Sequence, residues 1–158
     1  MARRRSSSQQ RSRARRLALQ ALYQWQIAGQ EVLDIERQFL SSEDTADVDI
    51  DYFRQLFRGV HARLQELDAH LGPLLDRPID AVDPIERSLL RMGAYELAFH
   101  PEVPFRVAIS EAVELDKTFG AEQGHRYING VLDRLARRLR AGEVSAAANR
   151  SPRGRGTP

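Results

Sequence analysis

A cluster of arginines near the start of the chain is the first candidate for a binding site in this sequence. Seven of them lie between residues 3 and 16, and no acidic residue accompanies them. Guanidinium groups bind phosphate in a bidentate manner and stack on nucleobases, so a cluster of this density can neutralise several phosphates of a nucleic acid. A solubilising tail that binds polyanions without selectivity would explain the same charge. The arginines alone leave both interpretations open.

A second segment, residues 119–130, places aromatic and basic side chains around a predicted helix start. Phe119 ends one predicted helix, and Arg126 and Tyr127 lie in the first turns of the next. Exposed backbone amides at a helix start favour a phosphate, and an aromatic ring can stack on an unpaired base. The residues alone favour burial of both rings in the core, with RNA stacking as the alternative.

Side chains suited to catalysis or metal binding form no recognised motif. The four histidines fall on different predicted elements, and the sequence contains no cysteine, no GxSxG turn and no phosphate-binding glycine loop. Glu111, Glu114 and Asp116 lie on one predicted helix with several acidic neighbours, which indicates a solvated face. We therefore predict a binding protein with no metal and no cofactor, and not an enzyme.

Charge is distributed unevenly along the 158 residues. Residues 1–16 carry +7, residues 17–136 carry −10 and residues 137–158 carry +5. An acidic body with two basic ends suggests a polyanion held by the ends and a basic partner held by the body. No apolar run reaches the length of a membrane span, and the basic start lacks the apolar core of a secretory signal. The lack of cysteine fits a reducing cytoplasm, where we expect this protein.

The apolar spacing predicts helices throughout and no strand, so the predicted fold class is all-α. In the first helix, predicted to begin within residues 9–13 and to end at Gly29, one face is apolar at helical spacing, while Leu19, Tyr23 and Ile27 form a second stripe. Further helices are predicted over residues 32–40, 51–71 with Asp51 as the cap, 84–99, 104–119 and 122–140. We predict a flexible arginine-rich arm over residues 1–12, one helical domain over 13–140 and a disordered basic tail over 141–158.

Several of these segments together resemble one known family. They are residues 13–25 (RARRLALQALYQW), 51–53 (DYF), 86–91 (ERSLLR) with 96–97 (EL), 103–115 (VPFRVAISEAVEL), 117–120 (KTFG) and 129–133 (NGVLD). This combination resembles the transcription antitermination factor NusB family over about residues 11–136. The resemblance implies about seven helices, arranged as two three-helix subdomains packed into one domain.

The resemblance also implies partners and site residues. Family members pair with NusE, a small-subunit ribosomal protein, bind the boxA element of ribosomal RNA transcripts, and act in the transcription elongation complex with other Nus factors. The family's RNA-contacting positions fall on Arg11, Arg13, Arg15, Arg16, Phe119, Gln123, Arg126 and Tyr127. Its NusE-contacting positions fall on Tyr23, Asp80 and Glu86. Gln123 stands where some members carry an acid, and its amide could hydrogen-bond a base.

Two other interpretations remain open. The chain could be a homodimeric protein-interaction module that binds RNA without selectivity, because the stripe at Tyr23 permits self-association as well as a partner. A similar domain also begins some ribosomal RNA cytosine methyltransferases, which need an S-adenosylmethionine site and catalytic cysteines that this sequence lacks. Salt dependence tests the RNA interpretation, because contact with about five phosphates gives a slope of log affinity against log salt near −3.5.

Overall fold

The computed structural model describes residues 7–42 and 44–150, and these residues form α-helices with no strand. This confirms the predicted all-α fold class. None of the described helices combines the length and hydropathy needed to cross a membrane. The α-helices are α1 (Ser8–Ala28), α2 (Val32–Ser42), α3 (Ile50–Ala62), α4 (Leu64–Leu71), α5 (Pro84–Phe99), α6 (Phe105–Phe119), α7 (Gly124–Leu139) and α8 (Ala141–Arg150), with short 3₁₀ helices at Gly72–Leu74 and Ile79–Ala81.

Helix α1 begins earlier than the sequence predicted. The Ser7 hydroxyl accepts a hydrogen bond from the Gln10 amide at 3.0 Å, and the Ser7 amide donates to the Gln10 side chain at 2.9 Å. This reciprocal pair satisfies two amides at the helix start. Residues 8–12 are therefore helical, and the prediction of a flexible arm over residues 1–12 is wrong for them; residues 1–6 lie outside the described residues. The helix ends at Gly29, which has φ +68°, a backbone conformation that favours glycine.

The helices form two groups around one core. Helices α1, α2 and α3 pack against one another, as do α5, α6 and α7, while α1 and α4 also pack against α5. Helix α5 is buried on nearly all sides, from Ser88 through Ala94, as its apolar sequence predicts. The buried apolar side chains of both groups belong to a single cluster.

The predicted third helix is divided in two. Helix α3 ends at Ala62, and Arg63 has φ −111° and ψ 23° before α4 begins. The change of direction lets α4 pack on α5 while α3 packs on α1. The cap also differs from the prediction, because the Asp49 carboxylate, not that of Asp51, accepts from the Tyr52 amide at 3.0 Å.

The start of the predicted disordered tail is a helix, α8. Arg140 donates to the Glu96, Leu97 and His100 carbonyls near the end of α5, and to Glu143 at 2.7 Å. The Glu143 carboxylate in turn accepts from the Phe105 amide at the start of α6 at 2.9 Å. These bonds satisfy groups that two helix ends leave unpaired, so the tail prediction is wrong for residues 141–150. Residues 151–158 lie outside the described residues.

Candidate nucleic-acid interface

Arg15 lies in the interior and does not face a ligand. Its side chain donates to the Glu96 carboxylate at 2.8–3.0 Å and to Glu111 at 3.1 Å, and the residue is 3% exposed. The Tyr52 hydroxyl also donates to Glu96. Hydrogen bonds and the charge of Glu96 outweigh desolvation and raise the Arg15 pKa further. Its assignment to the RNA-binding set is a correction: this guanidinium joins α1 to α5 and α6.

Arg16 and Phe119 form the centre of the exposed basic surface. The guanidinium of Arg16 lies 5.0 Å from the centroid of the Phe119 ring, at the end of α6. Arg13 and Arg16 also line a groove of about 270 Å³ between α1 and α6, with Leu115 and Thr118 on its other side. A guanidinium next to a partly exposed aromatic ring offers a group that can bind a phosphate and a surface on which a base can stack. We call this surface, made of Arg13, Arg16 and Phe119, the α1–α6 surface.

Arg11 and Arg13 lie on the same helix but differ in their surroundings. The Arg13 side chain is exposed and lies 3.6 Å from the Asp47 carboxylate. Arg11 is partly buried, with its guanidinium 4.2 Å from the Tyr52 ring centroid and 3.9 Å from the Asp49 carboxylate. Exposed ion pairs of this length contribute little. Arg13 is therefore available to a phosphate, whereas Arg11 must leave a ring and a carboxylate to reach one.

The loop between α6 and α7 presents Gln123 and Arg126. Gln123 has φ +74°, a left-handed conformation that is uncommon for a residue with a side chain, and it is exposed. Arg126 is exposed in the first turn of α7 and forms no ion pair with any residue between 7 and 150 that the structure describes. Both side chains lie close in sequence to Phe119. The loop thus adds an amide and a cation to the end of α6.

Two buried carboxyl groups lie beneath the loop between α6 and α7. Asp116 is fully buried and Glu86 is 8% exposed, and both Asp116 oxygens and one Glu86 oxygen have no hydrogen-bond partner among the described residues. Burial, and then the charge of Glu86, raise the pKa of Asp116 to about 7. Burial also raises the pKa of Glu86. The acidic neighbours of Asp116 predicted a solvated face, and this prediction is wrong. Near neutral pH, a proton on one of the two carboxyl groups can form a hydrogen bond with the other.

The glycines of the loop allow this close approach. A Cβ atom at Gly124 would lie 1.7 Å from Glu86 Oε2, and one at Gly120 would lie 1.8 Å from Asp116 Oδ1. No side chain fits at either position unless a carboxyl moves. The carboxyl pair therefore packs directly against the two glycines that flank the segment carrying Gln123.

Tyr127 faces a different neighbour from Phe119. Its hydroxyl accepts from the Asp76 amide at 3.3 Å, and the Arg77 guanidinium lies 5.1 Å from its ring centroid. Arg77 donates to the Asp76 carboxylate at 2.7 Å and lowers the pKa of Asp76 to about 2. Tyr127 is partly buried. It belongs to a small cluster with Arg77 and Asp76, and the sequence analysis missed Arg77.

The predicted partner-binding residues are not equivalent. Tyr23 is 38% exposed, and Ile27, one turn further along α1, is 61% exposed. Asp80 is exposed on the second 3₁₀ helix. Glu86 is buried against Asp116, so its assignment to a partner contact is a correction: the N-terminal turn of α5 points this side chain inward. Leu33, exposed at the start of α2, was not singled out by the sequence.

The sequence contains a signal for the burial of two residues that were predicted to be exposed. Asp116 follows Ile109 and Ala112 on the buried face of α6, where a carboxyl is unexpected. Arg15 continues the stripe of Leu19 and Tyr23 by one helical turn. Among the described residues, no group of three or more histidine, aspartate or glutamate side chains is placed to hold a metal ion. The geometry is that of a binding surface with cationic, aromatic and amide groups.

Comparison with known proteins identifies the family of this chain. The model of the NusB family matches residues 12–137. The transcription antitermination protein NusB of Nitrosococcus oceani is 53% identical over 143 residues, which cover 90% of this chain and 96% of that protein. NusB of Shewanella halifaxensis is 50% identical over 131 residues, covering 83% and 97%.

Solved structures show the same fold. T. maritima NusB superposes with a TM-score of 0.74 at 27% identity, covering 85% of this chain and 96% of that one. A crystal structure of antitermination factors NusB and NusE in complex with double-stranded RNA gives a TM-score of 0.75 at 24% identity, covering 84% and 99%. At that identity the second likeness concerns the fold alone.

Proposed function

Because the chain belongs to the NusB family of transcription antitermination proteins, we propose that it binds the boxA element of ribosomal RNA transcripts together with NusE. The observation that carries the proposal is the Arg16 guanidinium 5.0 Å from the Phe119 ring centroid. A cation and an aromatic ring at this distance can bind a phosphate and stack an unpaired base of the same strand. The solved complex of a NusB with NusE and RNA supports this choice of partners.

In this proposal each exposed group has a separate role. Arg13, Arg16 and Arg126 bind phosphates, and Arg11 joins them if it leaves the Tyr52 ring. Phe119 stacks a base, and the Gln123 amide hydrogen-bonds a base edge. Four phosphate contacts give a slope of log affinity against log salt of about −2.8. This is shallower than the slope of −3.5 expected for five contacts, because Arg15 is buried.

NusE would bind on the face that carries Tyr23 and Asp80. Tyr23 and Ile27 offer exposed apolar area on one face of α1, and Asp80 offers a carboxylate to a basic ribosomal protein. Isolated exposed apolar side chains are ordinary on protein surfaces, but two on one helical face are suited to an interface. The same face would hold a second copy of the chain in the alternative function, a homodimeric module with non-selective RNA binding.

Fluorescence anisotropy with labelled boxA RNA tests the proposal. We expect boxA RNA to bind more tightly than a scrambled strand of equal composition, and purified NusE to increase that difference. The variant Y23A/I27A should lose the effect of NusE and keep the affinity for RNA alone. Weak binding that ignores both sequence and NusE would contradict the proposal, and a dimer that Y23A/I27A dissociates would favour the homodimeric module.

A further inference from the structure

A groove on the far side of α6 from the α1–α6 surface has no role in the function proposed so far. It has a volume of about 450 Å³ and lies between α6, α7 and α8. Its apolar lining is contributed by Ile109, Val113, Val144 and Ala148. A volume of this size is in the range of small-ligand sites. The family match ends at residue 137, so the wall formed by α8 lies beyond the matched segment.

The polar side chains around this groove are largely unpaired. Ser110 and Asn129 line it and make no side-chain hydrogen bond to any residue of the described ranges 7–42 and 44–150. Arg106 is exposed, lies 5.7 Å from the Phe105 ring centroid and forms no ion pair within those same ranges. Asparagine offers both a donor and acceptors, and serine offers both as well. These groups match the mixed hydrogen-bonding edge of a nucleobase.

The groove is continuous with the proposed RNA site through α7. Arg126, Asn129, Asp133 and Arg137 follow one another at intervals of three or four residues, so they lie along one side of the helix. From Arg126 to Arg137 this row extends about 16 Å at 1.5 Å per residue. Its single acid, Asp133, lies 3.2 Å from the Arg137 guanidinium, and this ion pair is exposed, so Arg137 can exchange Asp133 for a phosphate. An RNA strand bound at Arg126 can therefore follow this row of side chains into the groove.

Helix α8 forms one wall of the groove. Glu143 and Arg140 attach α8 to the ends of α6 and α5, which places Val144 and Ala148 in the groove wall. Arg137 belongs to α7 and lines the groove, on a helix that starts at the proposed RNA site.

We propose that the α6–α7–α8 groove binds single-stranded RNA next to the boxA element, with Arg106 and Arg137 on its phosphates and Asn129 on a base. This inference depends on the proposed function, because the strand must first be held at the α1–α6 surface. An acidic peptide is the other ligand that arginine side chains and an apolar lining would accept. Continuity with Arg126 and the unpaired amide of Asn129 favour RNA.

The test compares two RNAs by anisotropy, with NusE present. One is the boxA element alone, and the other is boxA with oligouridine flanks at both ends. The wild-type chain should bind the flanked RNA several-fold more tightly. The variant R106A/R137A should lose that gain and make the salt slope for flanked RNA shallower by about 1.4, the value for two phosphates. Its affinity for boxA alone should not change.

Two further variants separate charge from shape. R37A/R63A removes two exposed arginines from α2 and the α3–α4 junction, so it is the matched control for charge and should keep the gain. A148W fills the groove at an exposed position without changing charge, and it should reduce the gain while far-ultraviolet circular dichroism shows an intact fold.

The outcomes distinguish the two proposals. Equal affinity of the wild-type chain for both RNAs would overturn the groove proposal and leave the groove to a protein ligand, while selective binding of boxA alone would still support the proposed function. Equal loss of the gain in R106A/R137A and in R37A/R63A would also overturn it, because the flanks would then respond only to net charge. Failure to select boxA over a scrambled strand would instead remove the proposed function.

Discussion

Replacing Asp116 by asparagine should change how stability depends on pH. The variant keeps the shape of the side chain, and its amide can donate to Glu86 as a protonated Asp116 would. Asp116 is fully buried, and its pKa is raised from 3.8 to about 7, chiefly by burial. Because the folded state binds this proton more tightly than the unfolded state, its stabilising effect is complete below pH 3.8. It is lost as the pH rises towards 7.

The magnitude follows from the size of the shift. About three pKa units correspond to about 4 kcal/mol of unfolding free energy between pH 4 and pH 8. An asparagine leaves a buried polar group imperfectly paired, which costs about 1–3 kcal/mol. We therefore expect D116N to be less stable than the wild-type chain at pH 4 by about 1–3 kcal/mol. At pH 8 we expect it to be more stable by about 1–3 kcal/mol.

Urea denaturation followed by circular dichroism, at intervals from pH 4 to pH 8, measures this difference. Carboxylates that do not contact Asp116 contribute equally to both proteins and cancel. Glu36 is an example, because the hydrogen bond from Arg58 lowers its pKa in both. The variant D34N, at an exposed position, is the control and should differ by less than about 0.5 kcal/mol at every pH. Parallel pH profiles for D116N and the wild-type chain would show that the folded state does not bind the Asp116 proton more tightly than the unfolded state.

Four further substitutions test individual parts of the site. R15A should lower the unfolding free energy by about 3–5 kcal/mol in urea denaturation, because it leaves Glu96 buried without its ion-pair partner. R13A should weaken RNA binding with no change in stability. Equal stabilities of R15A and R13A would place Arg15 outside the core. F119A should weaken boxA binding in anisotropy titrations by about 1–3 kcal/mol if a base stacks there, and an unchanged affinity would remove the ring from the site. G124A should lower stability by about 1–3 kcal/mol, because its Cβ meets the Glu86 carboxyl, and a neutral effect in thermal denaturation would show that Gly124 does not pack against this carboxyl.

The helices were predictable because their causes are local. The apolar spacing of α1, the proline and acid at the start of α5, and the glycine after α1 act over a few residues. The structure therefore reproduces the buried faces of α1 and α5. The broken third helix was not predictable in the same way. Arg63 carries no strong helix-breaking signal, and the break depends on α4 packing against α5.

The site was only partly predictable, because burial of a charged side chain depends on distant residues. Arg15 has its carboxylate partner 81 residues away in Glu96, so the arginine cluster alone could not separate it from Arg16. Glu86 and Asp116 also meet only through the tertiary fold. Helix α8 depends on the hydrogen bonds that Arg140 makes to the end of α5. The composition of α8 alone resembles that of a disordered tail.

Photo-crosslinking of boxA RNA to the chain in the presence of NusE, with mass spectrometry of the crosslinked peptides, would locate the RNA on the protein surface. We expect crosslinks at the α1–α6 surface and the α6–α7 loop, in peptides that contain Arg16, Phe119 or Gln123. Crosslinks confined to α2, α3 and α4, with none at Phe119, would exclude the proposed site, because the RNA would then lie on a different face of the protein.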